Sequence, residues 1–162
     1  MKYFHLNGII NEELLEKFIE FRNENESEEW TIVSNSGGGK SNLAQVILYE
    51  INNRTIRTVL VSVGIYSASF VIFYFAKCEK KITEGSIGMI HLRANDISIQ
   101  SHGKPQFSED ACVVKNHKET REIDSFVEEF MTKDEVKRYR KGDDVYFTFK
   151  RMKEIFPDAE TI

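Results

Sequence analysis

Apolar and polar positions along the chain change period in a regular order. Residues 2–6 (KYFHL) alternate and predict a first strand. Asn11 precedes a helix over 12–21 (EELLEKFIEF), with Leu14, Leu15, Phe18, Ile19 and Phe21 along one side. A polar link at 23–29 leads to a strand at 30–35 (WTIVSN), a glycine turn at 36–40 (SGGGK), and a helix with Leu43, Val46, Ile47 and Ile51 on one face. A β-branched run at 58–63 (TVLVSV) predicts a strand buried on both faces, and 69–76 (SFVIFYFA) a buried helix. Short strands follow at 80–83 and 87–92. Residues 96–101 (DISIQS) alternate and predict a strand or ribbon arm, 102–110 a loop, and 111–131 one long helix. A polar stretch then leads to 141–144 (KGDD), and a last helix covers 149–156. The order strand–helix–strand–helix–strand predicts an α/β fold in which a parallel sheet is layered with helices. No repeat or linker divides the chain, so residues 1–162 are expected to form a single domain.

Residues 58–76 carry no charge and are flanked by Arg57 and Lys77, close to the length of a bilayer span. A strand abutting a buried helix accounts for the same run, because Gly64 and the serine-rich turn break it. No membrane association is therefore expected. The N-terminus lacks a basic start followed by a long apolar run, so no secretory signal is expected, and a cytoplasmic location follows. The net charge of −4 is mixed in sign along the chain and forms no basic stripe, which argues against nucleic acid as a partner. Cys78 and Cys112 stand in no metal-ligand or redox spacing and read as reduced thiols. No metal or cofactor is expected.

The first chemical signal is SNSGGGKS at 34–41, after a strand and before a helix. Glycines let the backbone approach a ligand, and a helix start offers unpaired N–H groups. Such a turn serves as a phosphate cradle, as an oxyanion hole, or as nothing more than a tight turn. Gly39, Lys40 and Ser41 fit the end of the P-loop pattern G-x-x-x-x-G-K-(S/T), but Ser34 stands where its first glycine belongs. The second signal is GIYSAS at 64–69, a glycine and small residues before an apolar helix. A serine there has its oxygen near unpaired N–H groups, although Ser67 and Ser69 equally suit simple helix capping. The third is GSIGMIH at 85–91, an apolar strand ending in His91.

Taken in this order, the three motifs resemble the proteolytic subunits of the Clp protease family. Asn35-Ser36-Gly37-Gly38-Gly39 is similar to the family's N-S-P-G-G, with glycine in place of proline. GIYSAS is similar to its glycine followed by A-A-S, with the glycine one position further from the serine. MIH is similar to its histidine-bearing strand. The longer glycine spacing and GSIG resemble signal peptide peptidase A. The resemblance covers residues 28–92 and, loosely, 140–158. It implies a Clp/crotonase-type spiral of β-β-α units and a serine peptidase with Ser69 as nucleophile and His91 as general base. It also implies oxyanion donors at the N–H groups of Gly38 and Phe70. For the acid it offers Asp144, in DVYFT at 144–148, with Glu128 in EEFMT at 128–132 as the competitor. Peptide or unfolded protein is the implied substrate, bound by strand addition beside the glycines. A homo-oligomer is implied, with the apolar helix 111–131 at its interface. An ATPase partner stays open, because the short N-terminus departs from the family.

Three other functions fit parts of this pattern. A Clp-like subunit that only builds an assembly needs no working triad. A crotonase-like acyl-CoA enzyme shares oxyanion N–H pairs, but the serine-then-histidine order disfavours it. A P-loop protein would use the glycines for nucleotide.

Overall fold

A computed structural model describes residues 1–91 and 125–162. In chain order they form β1 (Lys2–Ile10), α1 (Glu12–Glu24), β2 (Trp30–Gly39), α2 (Ser41–Asn52), β3 (Thr58–Tyr66), α3 (Ala68–Phe75) and β4 (Glu79–Ile90). From residue 125 onward come α4 (Val127–Phe130), α5 (Lys133–Arg140), β5 (Val145–Phe147), α6 (Phe149–Ile155) and β6 (Glu160–Thr161). The chain packs as two compact units, residues 1–90 with 146–162, and residues 91–145.

The first unit is built on the sheet. Its strand order is β1-β2-β3-β4-β5, with β6 also on β4. The β1/β2, β2/β3, β3/β4 and β4/β6 pairs are all parallel. Parallel neighbours need a crossover, which α1, α2 and α3 supply in turn. Each of the first three pairings shifts register near the C-terminal ends of its strands, at Gly8/Ile9, Ser34/Asn35 and Ser62/Gly64. Such shifts bend and twist a strand. They fall at the level where the glycine run and the β3–α3 junction sit.

Two aromatic clusters fill the core. Phe4 and Phe18 meet edge to face at 5.3 Å, and Phe21 and Trp30 lie 5.2 Å apart under α1. Phe70 on α3 packs against Phe147 at 5.4 Å and Phe156 at 5.8 Å, and Phe73 meets Phe156 edge to face. Buried aromatics of this size dominate core energetics. Asn11 caps α1 as expected, its side chain accepting the Leu14 N–H at 2.9 Å.

Several sequence expectations shift. β2 runs on through the glycines to Gly39, because β1 continues to pair with them as far as Ile10. On α2 the buried face is Ala44, Ile47 and Ile51, while Val46 is exposed, one step off that face. The two short strands expected at 80–83 and 87–92 are one strand, β4, with residues 83–86 accommodated in the register shift opposite Val63. The uncharged run 58–76 divides into β3 and α3, and no helix among the described residues is long and apolar enough to cross a membrane. The arm at 96–101, the loop at 102–110, Cys112, His102, His117 and most of the helix expected at 111–131 lie outside the described residues.

In the second unit, the polar stretch before KGDD is itself helical. Thr132 and Glu135 form a reciprocal capping box that starts α5. Gly142, at φ +89°, ends it in the left-handed conformation. Tyr139 and Val127 are the buried anchors of this unit, with Phe126 against Phe130.

Candidate active site

The β3–α3 junction reverses the chain within one residue. Tyr66 still pairs with Met89 of β4, and the Ser67 N–H donates to the Met89 carbonyl at 2.8 Å. Two residues later α3 is already packing Ser69 and Phe70 into the core. The turn is concentrated at Ser67, which has φ 54° and ψ −119°. It is the only non-glycine residue with positive φ among the described residues. That conformation lies outside the ordinary left-handed well and costs on the order of 1–3 kcal/mol. Ser67 is half-buried, and the Val71 N–H returns to its carbonyl at 3.2 Å.

The glycine run lies directly against this junction. Gly38 has φ +88°, and a Cβ there would sit 2.7 Å from Ser67 Cβ and 2.9 Å from the Ala68 nitrogen. Only glycine permits that approach. A Cβ on Gly39 would run into the Ile10 backbone of β1. The run is thus a strand squeezed between β1 and the junction, not the wrapped loop of a phosphate cradle. Lys40 turns to Glu12 at 2.5 Å on the exposed surface.

Ser69 is 1% exposed. Its hydroxyl accepts the Tyr66 N–H at 2.8 Å and reaches two carbonyls, Ser36 at 2.8 Å and Tyr66 at 2.9 Å. Its single proton is therefore held by backbone oxygen. Ser36 extends the network, donating to the Gly8 carbonyl at 2.7 Å and accepting the Gly38 N–H at 3.2 Å. Phe70 is buried at the third position of α3.

In the second unit His91 and Asp144 come together, with Nδ1 3.8 Å from Oδ1; both side chains are partly exposed. Asp144 is carried by the turn that ends α5. There the Asp143 N–H donates to the Arg138 carbonyl at 3.1 Å, and Arg138 Nη2 donates to the Asp144 carbonyl at 3.1 Å. Glu128 instead pairs with Arg140 on the surface. Of the remaining expected features, His5 is exposed on β1. Ser86, within GSIG, is fully buried and bonds to Ser62 at 2.7 Å. Burial pushes the Cys78 thiol up to about 11, which leaves almost no thiolate at neutral pH and argues against cysteine chemistry there.

The residues singled out thus form two groups, Gly38 with Ser67 and Ala68 in one unit, and His91 with Asp144 in the other. Sequence reasoning placed the nucleophile on Ser69 and weighed helix capping as the alternative for both Ser67 and Ser69. A strand extended to Tyr66 would have marked Ser67 as the first residue of the turn.

No family model matches the sequence, and no curated protein matches it. Among solved structures, a ClpP1 mutant from Listeria monocytogenes superposes with a TM-score of 0.69 at 20% identity, over 99% of this chain and 90% of that one. At that identity the likeness establishes the fold: this chain has the ClpP-like α/β fold.

Proposed function

We propose that the protein is a serine peptidase whose nucleophile is Ser67, with His91 as general base, Asp144 as the acid that orients it, and the N–H groups of Gly38 and Ala68 as oxyanion donors. The observation that carries this reading is the backbone of Ser67. A non-glycine residue at φ 54°, ψ −119° between a strand and a helix has the strand–nucleophile–helix form that lifts a hydroxyl out of the sheet. The surroundings agree, since Gly38 lies against Ser67 Cβ and the Ala68 nitrogen, where a tetrahedral oxyanion attached to Ser67 would develop. The ClpP-like fold supports the peptidase class.

In the proposed reaction Ser67 Oγ attacks the scissile carbonyl carbon while His91 takes its proton. The carbonyl π electrons move to oxygen, which the two N–H groups stabilise. Collapse expels the amine, which takes the proton from His91, and leaves an acyl-serine. Water then attacks the ester by the same steps and releases the acid. The Asp144 carboxylate faces His91 Nδ1 and would hold the tautomer with the proton on that nitrogen, leaving Nε2 basic. Moving the nucleophile from Ser69 to Ser67 lengthens its separation from His91 from 22 to 24 residues, towards the spacing of Clp subunits. Substrate would be extended peptide aligned along the glycine strand.

The test is labelling with a fluorophosphonate, followed by mass-spectrometric mapping of the modified peptide. Label on Ser67, abolished by Ser67→Ala with the fold retained, is the expected result. Label on Ser69 would return the role to that residue. A folded wild-type protein that takes no label would make the chain a non-catalytic member of the fold.

A further inference from the structure

Ser69 and Ser36 lie beside the proposed nucleophile, and neither is used by the chemistry above. Both are almost fully buried, at 1% exposure each. A hydroxyl in a core costs free energy unless bonded, and these two are bonded in a specific pattern. Ser69 is on α3, yet its oxygen accepts the Tyr66 N–H of β3 and donates across to the backbone of β2 at Ser36. Ser36 is on β2, yet its oxygen donates to Gly8 of β1 and accepts the N–H of Gly38, two residues on. The two residues are joined through the Ser36 carbonyl. The result is one continuous chain of hydrogen bonds from β1 through the glycine strand to the first turn of α3. It ties the segment that carries Gly38 to the one that carries Ser67 and Ala68.

We propose that Ser69 and Ser36 form a hydroxyl latch that positions the oxyanion donors, holding the glycine strand against the β3–α3 junction. The inference rests on the peptidase reading above. The need for a latch follows from the local backbone. β2 pairs with β3 only as far as Ser36 and Ile65, so Gly37, Gly38 and Gly39 have no β3 partner to hold them on that side. Glycine is also the most conformationally free residue, so three in succession give this strand end little stiffness of its own on the β3 side. Gly38 N–H, held by Ser36 at 3.2 Å, is pre-aligned by a weak bond that an oxyanion can share or displace. Ser69 and Ser36 are thus positioning residues, acting through backbone and touching no substrate.

The experiment compares wild type, Ser69→Ala, Ser69→Thr and Ser36→Ala. It measures the second-order rate of fluorophosphonate labelling at Ser67, kcat and KM for a peptide substrate, and affinity for a peptide boronate, whose adduct carries a tetrahedral anion. Misplacement of a reacting group by about 1 Å costs about 100-fold, so Ser69→Ala and Ser36→Ala are each expected to slow labelling by about 10- to 100-fold. The same variants should lower kcat and weaken boronate binding in proportion, with KM unchanged. Ser69→Thr keeps the hydroxyl and should recover most of the rate. A purely structural role would lower the folded fraction without altering the rate per folded molecule. If Ser69→Ala does not fold, Ser36→Ala carries the test, since it keeps the Ser36 carbonyl and loses only the Gly8 and Gly38 bonds. Labelling of folded Ser36→Ala at the wild-type rate, or equal losses of boronate affinity and substrate affinity, overturns the latch while leaving the peptidase reading intact. Absence of label in wild type overturns both.

Discussion

Replacing Gly38 with alanine tests the central geometry, because two separable costs meet at that position. The first is conformational. Gly38 has φ +88°, where an L-residue is strained by about 1–2 kcal/mol. The second is steric. The new Cβ would sit 2.6 Å from the Tyr66 carbonyl oxygen, 2.7 Å from Ser67 Cβ and 2.9 Å from the Ala68 nitrogen. Two of these are backbone atoms and cannot rotate away, so the strand or the junction must shift, at about 1–3 kcal/mol by analogy with overpacked cores. The combined loss is about 2–5 kcal/mol, a large share of a typical domain's stability. Two other glycines separate the terms. Gly85 has φ +84° with nothing within 4 Å of its added Cβ, so Gly85→Ala reads the conformational cost alone. Gly37 has neither positive φ nor a close neighbour, so Gly37→Ala should change stability by no more than about 0.5 kcal/mol. Urea unfolding followed by circular dichroism measures all three. The expected order of destabilisation is Gly38, then Gly85, then Gly37. Labelling at Ser67 should fall by about 100-fold or more in Gly38→Ala alone, the scale of losing one oxyanion donor. Unfolding midpoints that coincide for Gly38→Ala and Gly37→Ala would refute the packing of Gly38 on the junction.

Two further outcomes follow from particular side chains. Asp144→Asn should reduce kcat by about 100-fold or more, since it removes the carboxylate facing His91 Nδ1, whereas Glu128→Gln disturbs only a surface pair with Arg140 and should stay within about twofold; peptide hydrolysis rates decide, and the reverse ranking would transfer the acid to Glu128. Ser34 is 2% exposed and its hydroxyl has no hydrogen-bond partner, while its neighbour in register, Ser62, is bonded to Ser86. Ser34→Ala should therefore be neutral or stabilise by up to about 1 kcal/mol, and Ser62→Ala should destabilise by about 1–2 kcal/mol. Denaturant midpoints showing Ser34→Ala as the more damaging change would count against this reading of the sheet.

Much of the layered α/β architecture was legible in the sequence, because burial imposes different periods on helices and strands. The unbroken apolar run of β3, the amphipathic α1 with its Asn11 cap and the buried α3 each followed from local pattern. Where the reading slipped, the deciding contact was distant in sequence. The glycines read as a turn because glycine disfavours strands, yet they extend β2 because β1 runs alongside as far as Ile10. Val46 read as core by spacing, but which neighbouring helical positions are buried depends on how α2 is rotated against the sheet, and that is set by Ala44, Ile47 and Ile51.

The proposed site divides the same way. The sequence by itself determined its inventory: a glycine run after one strand, serines after the next, a histidine after the third, and an acid near the last helix. It favoured Ser69 over Ser67 only through the family resemblance, because both precede the same apolar helix and both are the same residue type. The tertiary structure separated them through one backbone torsion and three hydrogen bonds. With Tyr66 held on β4 and Phe70 drawn into the core, the whole reversal falls on Ser67, while the same geometry brings Ser69 Oγ within 3 Å of backbone groups on β2 and β3. A residue's type fixes what chemistry it can do; which of two like residues is strained and which is buried and bonded depends on where the rest of the chain pins its neighbours.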